Sequence, residues 1–318
     1  MRIIAFDVRP DERAEFERQA SRPDVDELTC HEGPLTTENA ELVRGYDAVL
    51  VAGMERYDED LLAALAERGL SVFVTRTIGT DHIDLAAARR LGIAVSNTRY
   101  APDSVADFTI MLMLVALRKY KQMVYRQNVN DFSLPGLMGR TLSSLTVGIV
   151  GTGRIGRAVA RRLAGFGARV IGYDPVPSVE FRELGEYVSL DELFAGSDVI
   201  TFHAPSTPEN FHMVRDETLA QMRDGVVLVN TARASLMDVN TLVAGIESGK
   251  IGALAMDVFE GEDEIYHAFH MHDIIANRDM AYLRQFPNTV LTQHVAFYTQ
   301  QAVDEMVSHA VDAALRLE

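Results

Sequence analysis

Leu145-Thr146-Val147-Gly148-Ile149-Val150-Gly151-Thr152-Gly153-Arg154-Ile155-Gly156 decides how this chain folds. Residues 145–150 form an almost unbroken apolar run, the pattern of a strand buried in a parallel sheet. Residues 155–166 then read as a helix, and three glycines join the two at the spacing G-x-G-x-x-G. In that order each glycine has a task. Gly151 permits a tight turn, Gly153 lets a pyrophosphate approach the backbone, and Gly156 lets helix and strand pack closely. The helix N-terminus offers free N–H groups and partial positive charge to the phosphates, with Arg154 adding charge. The next strand, residues 169–173, ends at Asp174, 18 residues beyond Gly156. A carboxylate there accepts hydrogen bonds from both ribose hydroxyls and repels a 2′-phosphate, which predicts NAD rather than NADP. The other reading open for Asp174 is that it merely starts the Asp174-Pro175 turn.

Outward from this stretch the chain alternates strand and helix almost throughout, the signature of α/β folds with doubly wound parallel sheets. On the N-terminal side, strands are predicted at residues 3–6, 48–51, 72–75 and 94–97, with helices near 11–19, 58–68 and 85–91. Gly69 and Gly92 fall where helix C-termini favour positive φ. The segment from Pro102 to about Asn128 has no internal glycine or proline and reads as one long helix, with Pro102 in its first turn. Residues 108–117 are apolar on nearly every side, so this helix is expected where two units meet, or else in the core of one domain. Met111 and Met113 are expected in the core. Residues 131–144, with Pro135, Gly136 and Gly139, read as a connecting loop. Further strands are predicted at 198–202, 226–230, 253–257 and 289–292. Ser189 and Glu192 have capping-box spacing, a helix near 240–248 stops before Gly249, and residues 300–315 form an amphipathic helix.

The bulk properties narrow the class of partner. At 318 residues the chain has room for two domains, and 47% hydrophobic with 24% charged residues fits a soluble globular protein. A net charge of −16 argues against nucleic acid or an anionic membrane as partner, and an anionic substrate would need locally placed cations. Cys30 is the only cysteine, which excludes an intrachain disulfide and fits a reducing compartment. The apolar run after Met1-Arg2 is too short for a signal-peptide core, and no stretch approaches a membrane span, so the expected location is the cytoplasm.

Three polar groups follow predicted strand ends: Arg233 in Asn230-Thr231-Ala232-Arg233, Asp257 with Glu262, and His294 after Gln293. Open α/β sheets bind ligands at the carboxyl ends of their strands, so these segments could converge. Reduction of a 2-keto acid needs such a set. An arginine fork holds the carboxylate and polarises the carbonyl, a histidine supplies the proton, and a carboxylate beside the histidine orients it. Taken singly, each residue also has a plain reading as a surface ion pair, a solvated acid or a structural histidine.

Here the sequence resembles the D-isomer-specific 2-hydroxyacid dehydrogenases, in particular their D-lactate dehydrogenase branch with its vancomycin-resistance-type enzymes. The resemblance covers essentially the whole chain. It rests on Thr75-Arg76-Thr77-Ile78-Gly79 with His82-Ile83-Asp84, on Tyr100-Ala101-Pro102-Asp103-Ser104-Val105-Ala106-Asp107, and on the glycine loop. It continues through Asn230-Thr231-Ala232-Arg233, Met256-Asp257-Val258-Phe259-Glu260-Gly261-Glu262 and His294-Val295-Ala296-Phe297-Tyr298-Thr299. It implies a Rossmann NAD-binding domain, residues 101–294, inserted into a flavodoxin-like substrate domain, residues 1–100 and 295–318. The final helix is then expected to return to the first unit. It implies Arg233, Glu262 and His294 as the catalytic set, with Glu262 paired to His294. Cofactor contacts are implied at Gly151, Gly153, Arg154, Ile155, Gly156, Asp174, Ala204, Pro205, Asn210, Thr231, Ala232 and Asp257. Substrate contacts are implied at Arg233 and at the backbone of Ile78 and Gly79. Tyr100 and Tyr298 are read as pocket-lining or as aromatic core filling. The implied activity is NAD-dependent interconversion of a 2-keto acid, pyruvate first among them, with its D-2-hydroxy acid, in a homodimer.

Three positions depart from the family pattern. Ala234 stands where glycine usually follows the arginine, Gln293 replaces the usual proline before the histidine, and Ala52 lies where some lactate-specific relatives carry an aromatic ring. None removes a reacting group; they bear on substrate preference, and Ala52 suggests a roomier pocket. His267, His270, His272 and Asp273 raise a metal site, but their spacing fits no zinc pattern, so a solvated or oligomer-contact segment is expected and no metal is assigned. The rival readings are an NAD(H)-sensing, corepressor-like binding protein on the same fold and a dehydrogenase for a different acid.

Overall fold

The computed structural model describes residues 1–52, 55–262 and 265–317. The chain divides into two compact units, one formed by Met1–Ala101 with Tyr298–Glu318 and the other by Pro102–Phe297.

The first unit runs β1 (Arg2–Ala5), α1 (Arg13–Ala20), β2 (Glu27–Cys30), β3 (Ala48–Val51), α2 (Glu59–Glu67), β4 (Val72–Thr75), α3 (Leu85–Arg90) and β5 (Ala94–Asn97). These strands form a parallel sheet in the order β2-β1-β3-β4-β5, the flavodoxin-like order. Alternate side chains leave opposite faces, and helices cover both. Ile4, Val49, Val51 and Phe73 pack with Leu61, Leu62 and Leu65 of α2 and with Ala87 and Ala88 of α3. On the other face, Ile3, Ala5, Leu50, Val72 and Val74 pack with Phe16 of α1 and with Val307, Ala310, Val311 and Ala314. Those last four belong to the C-terminal helix, Gln300–Leu317, which lies in the first unit.

The second unit begins with α4 (Asp103–Leu117) and α5 (Tyr120–Asn128). It continues with β6 (Thr146–Val150), α6 (Arg154–Gly165), β7 (Arg169–Tyr173), α7 (Val179–Arg182), β8 (Glu186–Tyr187), α8 (Leu190–Gly196) and β9 (Val199–Phe202). It closes with α9 (Asp216–Gln221), β10 (Val226–Asn230), α10 (Val239–Ser248), β11 (Ile251–Met256), α11 (Arg278–Leu283) and β12 (Thr289–Leu291). The parallel strands are ordered β12-β11-β10-β9-β6-β7-β8, a Rossmann arrangement extended by one edge strand. The strand order reverses between β9 and β6, and the glycine loop leaves the end of β6 at that switch point.

Some sequence expectations change. The single helix across 102–128 is two, because Lys119 takes a left-handed conformation (φ 54°). The Leu117 carbonyl is taken by the returning chain, where Arg140 N–H donates to it at 3.0 Å. Gly139 crosses so close that a Cβ there would lie 2.6 Å from that carbonyl oxygen. Helix α4 packs in the core of the second unit, through Ala106, Ile110, Leu112, Met113 and Ala116 against Val147, Ile149, Val229 and Ala255. Met113 is buried as expected, but Met111 points outward and is 41% exposed. Strand β2 and the two-residue β8 were not expected; both are sheet edges without a fully buried run. The capping box of Ser189 and Glu192 forms, and Gly249 ends α10 with φ 75°. No helix among the described residues is long and apolar enough to cross a membrane.

Candidate active site

The glycine loop has the geometry its spacing predicts. Gly151 has φ +91°, and a Cβ there would lie 2.7 Å from the His203 carbonyl. A Cβ on Gly156 would collide with the Gly151 carbonyl oxygen, so α6 meets β6 only because residue 156 is glycine. Gly153, at the N-cap of α6, has nothing within 4 Å of where its Cβ would be, which leaves an open approach to the backbone. Arg154 and Ile155 open that helix. Asp174 follows β7, and its Oδ2 accepts hydrogen bonds from Thr152 N (2.7 Å) and Thr152 Oγ1 (3.2 Å). The carboxylate thus stands beside the loop. An open, glycine-lined helix N-terminus with an acid at the next strand end fits a dinucleotide.

Other residues expected at the cofactor brace loops at the carboxyl ends of the strands. Asn210 accepts from Thr207 N (2.8 Å) and donates to Pro205 O (2.7 Å), fixing the turn that follows Ala204. The Thr231 hydroxyl lies 2.9 Å from that of Thr109 on α4. Asp257, 1% exposed, accepts from Thr292 Oγ1 (2.6 Å) and Val295 N (3.0 Å) on Oδ1, and from Ala296 N (2.8 Å) on Oδ2. Its carboxylate therefore clamps the turn that carries His294.

Arg233 leaves the carboxyl end of β10. The side chain of Asn230, fully buried, accepts from Ala232 N (2.9 Å) and donates to Arg233 O (2.9 Å), which sets the arginine's backbone. The bracing roles of Asn230 and Asp257 were not anticipated; their signal was a polar residue closing or directly following a buried strand. Strands β10, β11 and β12 are sheet neighbours, so Arg233, Glu262 and His294 all follow adjacent strand ends.

His294 has φ 55°, a left-handed backbone that histidine adopts more readily than most residues. Its Nδ1 lies 2.6 Å from Glu262 Oε1, so an imidazole N–H donates to that carboxylate. The other Glu262 oxygen accepts from the Phe259 backbone N–H. The His294 carbonyl accepts from His267 Nε2 at 3.1 Å. Elsewhere in that histidine segment, His270 pairs with Asp273 at 3.1 Å and His272 meets the Phe269 ring edge-on.

In the first unit, Ile78 and Gly79 follow β4 in a loop tied by its own groups. Asn97 Nδ2 donates to Ile78 O (2.5 Å) and Thr77 Oγ1 donates to Gly79 O (2.6 Å). Neighbouring Arg76 is fully buried; it donates to Glu12 and to the carbonyls of Phe6 and Asp7, joining the ends of β4 and β1. Tyr100 is buried, whereas Tyr298 is 51% exposed with the Arg9 guanidinium 5.8 Å from its ring centre. Ala52 is buried directly after β3.

A switch-point glycine loop with an acid at the next strand end, on the same sheet as a histidine–carboxylate pair that follows its strand ends, defines a dinucleotide-dependent oxidoreductase. Residues 110–296 match the family model described as D-isomer specific 2-hydroxyacid dehydrogenase, NAD binding domain. An aromatic 2-oxoacid reductase of Clostridium sporogenes is 40% identical over 311 residues, covering 96% of this chain and 93% of the relative. A D-lactate dehydrogenase of Leuconostoc mesenteroides subsp. cremoris is 37% identical over 318 residues, covering 99% and 96%. The solved structure of a D-lactate dehydrogenase of Treponema pallidum superposes with TM-score 0.89 at 34% identity, covering 99% of this chain and 96% of that one. The chain belongs to the D-isomer specific 2-hydroxyacid dehydrogenase family and is an NAD-dependent oxidoreductase acting on the CH–OH group of 2-hydroxy acids.

Proposed function

We propose that this enzyme interconverts a 2-oxo acid and its D-2-hydroxy acid with Arg233, Glu262 and His294 as its catalytic set. The observation that carries the assignment is the 2.6 Å contact between His294 Nδ1 and Glu262 Oε1. Glu262 fixes the ring so that Nε2 is the nitrogen available for proton exchange. His294 then delivers a proton to the carbonyl oxygen during reduction and removes it during oxidation. Arg233 binds the substrate carboxylate and polarises the carbonyl through its planar fork. Bound NADH supplies the hydride to C2. The open backbone at Gly153, Arg154 and Ile155 would hold its pyrophosphate, with Gly151 shaping the turn and Gly156 letting α6 approach β6; Asp174 would hold its ribose, and Ala204, Pro205, Asn210, Thr231 and Ala232 would flank it. Asp257 supports this site through the His294 turn. The Ile78-Gly79 backbone, Tyr100 and Tyr298 contribute substrate contacts.

Pyruvate is the first substrate to try. Two features favour including aromatic 2-oxo acids: the small Ala52, and the aromatic 2-oxoacid reductase at 40% identity. The location proposed is the cytoplasm. The assembly proposed is a homodimer, supported by apolar side chains left exposed on the second unit: Met111 on α4, and Phe132, Leu134 and Met138 after α5.

The test follows NADH oxidation with pyruvate, longer aliphatic, aromatic and dicarboxylic 2-oxo acids, comparing kcat/KM. Arg233→Ala and His294→Ala should each reduce turnover on the best substrate by about 10²–10⁴-fold. Undiminished turnover in both would overturn the assignment.

A further inference from the structure

His212 is a histidine that the proposed reaction does not use, yet it touches both the turn after Arg233 and the turn that carries Glu262. It lies between β9 and α9 with φ 48°, a backbone conformation uncommon outside glycine and held here from several sides. Its N–H donates to Ser235 O at 2.8 Å, and two residues on, Val214 N–H donates to Leu236 O at 2.9 Å. Residues 212–214 thus run beside the short turn Ala234–Leu236 that directly follows Arg233. A parallel bridge between Val214 and Met237 continues the contact.

The side chain reaches the other segment. His212 Nε2 lies 2.8 Å from Glu260 Oε1, while Phe211 stacks on the imidazole at 3.9 Å and 18°. On its far side Nδ1 is 3.8 Å from Asp238 Oδ1, beyond hydrogen-bond length. Glu260 sits within Phe259-Glu260-Gly261-Glu262, the turn that presents Glu262 to His294. Asn277 Nδ2 fixes that turn from the opposite side by donating to Glu260 O at 2.7 Å, and Gly261 bends it at φ 74°.

We propose that His212 is a positioning residue for the dehydrogenase reaction, setting the placement of the Glu262–His294 pair relative to Arg233 through its bond to Glu260. The inference rests on the catalytic reading above. Reduction needs the carboxylate-binding arginine and the proton donor to meet one small substrate together. An error near 1 Å between them costs about 10²-fold in such a reaction. Glu260 has no other assigned task, and the 2.8 Å bond joins the two segments through one half-buried imidazole.

The experiment uses the full-length enzyme, NADH and its best 2-oxo acid. His212→Asn keeps a residue tolerant of the left-handed backbone but is too short to reach Glu260, and Glu260→Ala removes the partner. Each should lower kcat/KM by roughly tenfold, with the fluorescence-measured Kd for NADH unchanged. The double variant should be no worse than the weaker single one, because both remove one interaction. His212→Gln, which restores a long amide donor, should recover much of the loss. Wild-type activity in His212→Asn would overturn the proposal. So would additive losses in the double variant, or a parallel loss of NADH affinity. Arg233→Ala and His294→Ala run alongside: if they keep turnover, the catalytic reading fails, and if they lose it while His212→Asn does not, only this proposal fails.

Discussion

At the scale of single residues, His203 ties the stability of the fold to acid through its desolvated ring. It follows β9, donates its N–H to Val150 O at 2.7 Å, and lays its carbonyl against Gly151. Its Nε2 is 3.0 Å from Thr201 Oγ1, and desolvation holds its pKa down at about 3 against an ordinary 6.5. The unfolded chain therefore takes up a proton as pH falls through 6.5, while the folded chain refuses it until about 3. The stability that comes from keeping this ring neutral is complete above 6.5 and drains away between 6.5 and 3. Thermal melts of the wild type should fall across that window more steeply than those of His203→Gln, with the gap constant at higher pH. Parallel melting curves across the whole range would show that this imidazole is not responsible.

At the scale of elements, α5 is tied to the turn before β12 by a polar side chain rather than by an apolar face, since none of its residues is buried. Lys121 Nζ donates to Arg284 O (2.5 Å), Phe286 O (2.8 Å) and Thr289 O (2.8 Å), gathering the turn that leads from α11 into β12. Its burial lowers its pKa, yet three carbonyls satisfy all three of its donors. Lys121→Met leaves those carbonyls without their donor and should cost about 1–3 kcal/mol in denaturant unfolding; a cost near zero would show that water replaces the amine freely. This element also marks where sequence reasoning stops. The course β6, glycine loop, α6, β7 was legible because each signal is local: an apolar run, three spaced glycines, an acid after the next strand. The break between α4 and α5 was not, because its cause is Gly139 and Arg140 returning to the Leu117 carbonyl from more than twenty residues further along. The site divides in the same way. Arg233, Glu262 and His294 stand out as strand-end residues of the types the chemistry needs, and the resemblance implies them as a set over the plain reading open for each. The clamp of Asp257 on Val295 and Ala296, and the contact of His267 with the His294 carbonyl, depend on side chains meeting across a fold.

At the scale of the whole molecule, charge and apolar exposure pull in opposite directions. A net charge of −16 opposes indiscriminate self-association, so exposed apolar groups that persist on such a surface need a specific reason. On the second unit, Ile110, Met111, Leu114, Val115 and Phe166 line a shallow depression beside Asp107 and Arg162. Met111 and Phe166 are each more than two-fifths exposed there. Beyond α5 the chain presents Phe132 at 75%, Leu134 at 83% and Met138 at 88% exposure, although Arg126 and Lys119 donate to the carbonyls of Pro135 and Gly136 and keep that loop in place. An apolar loop held in shape and left uncovered suits burial against a second copy, since two-fold pairing lets one patch serve both partners. Light scattering after size exclusion should therefore give twice the 35.2 kDa of one chain. Leu134→Asp combined with Met138→Asp places two charges in the proposed contact, and should bring the mass down to one chain without changing NADH affinity. A wild type that stays at one chain mass at micromolar concentration, or a doubly charged variant that stays at two, would remove the dimer from this reading and leave the exposed loop without a partner.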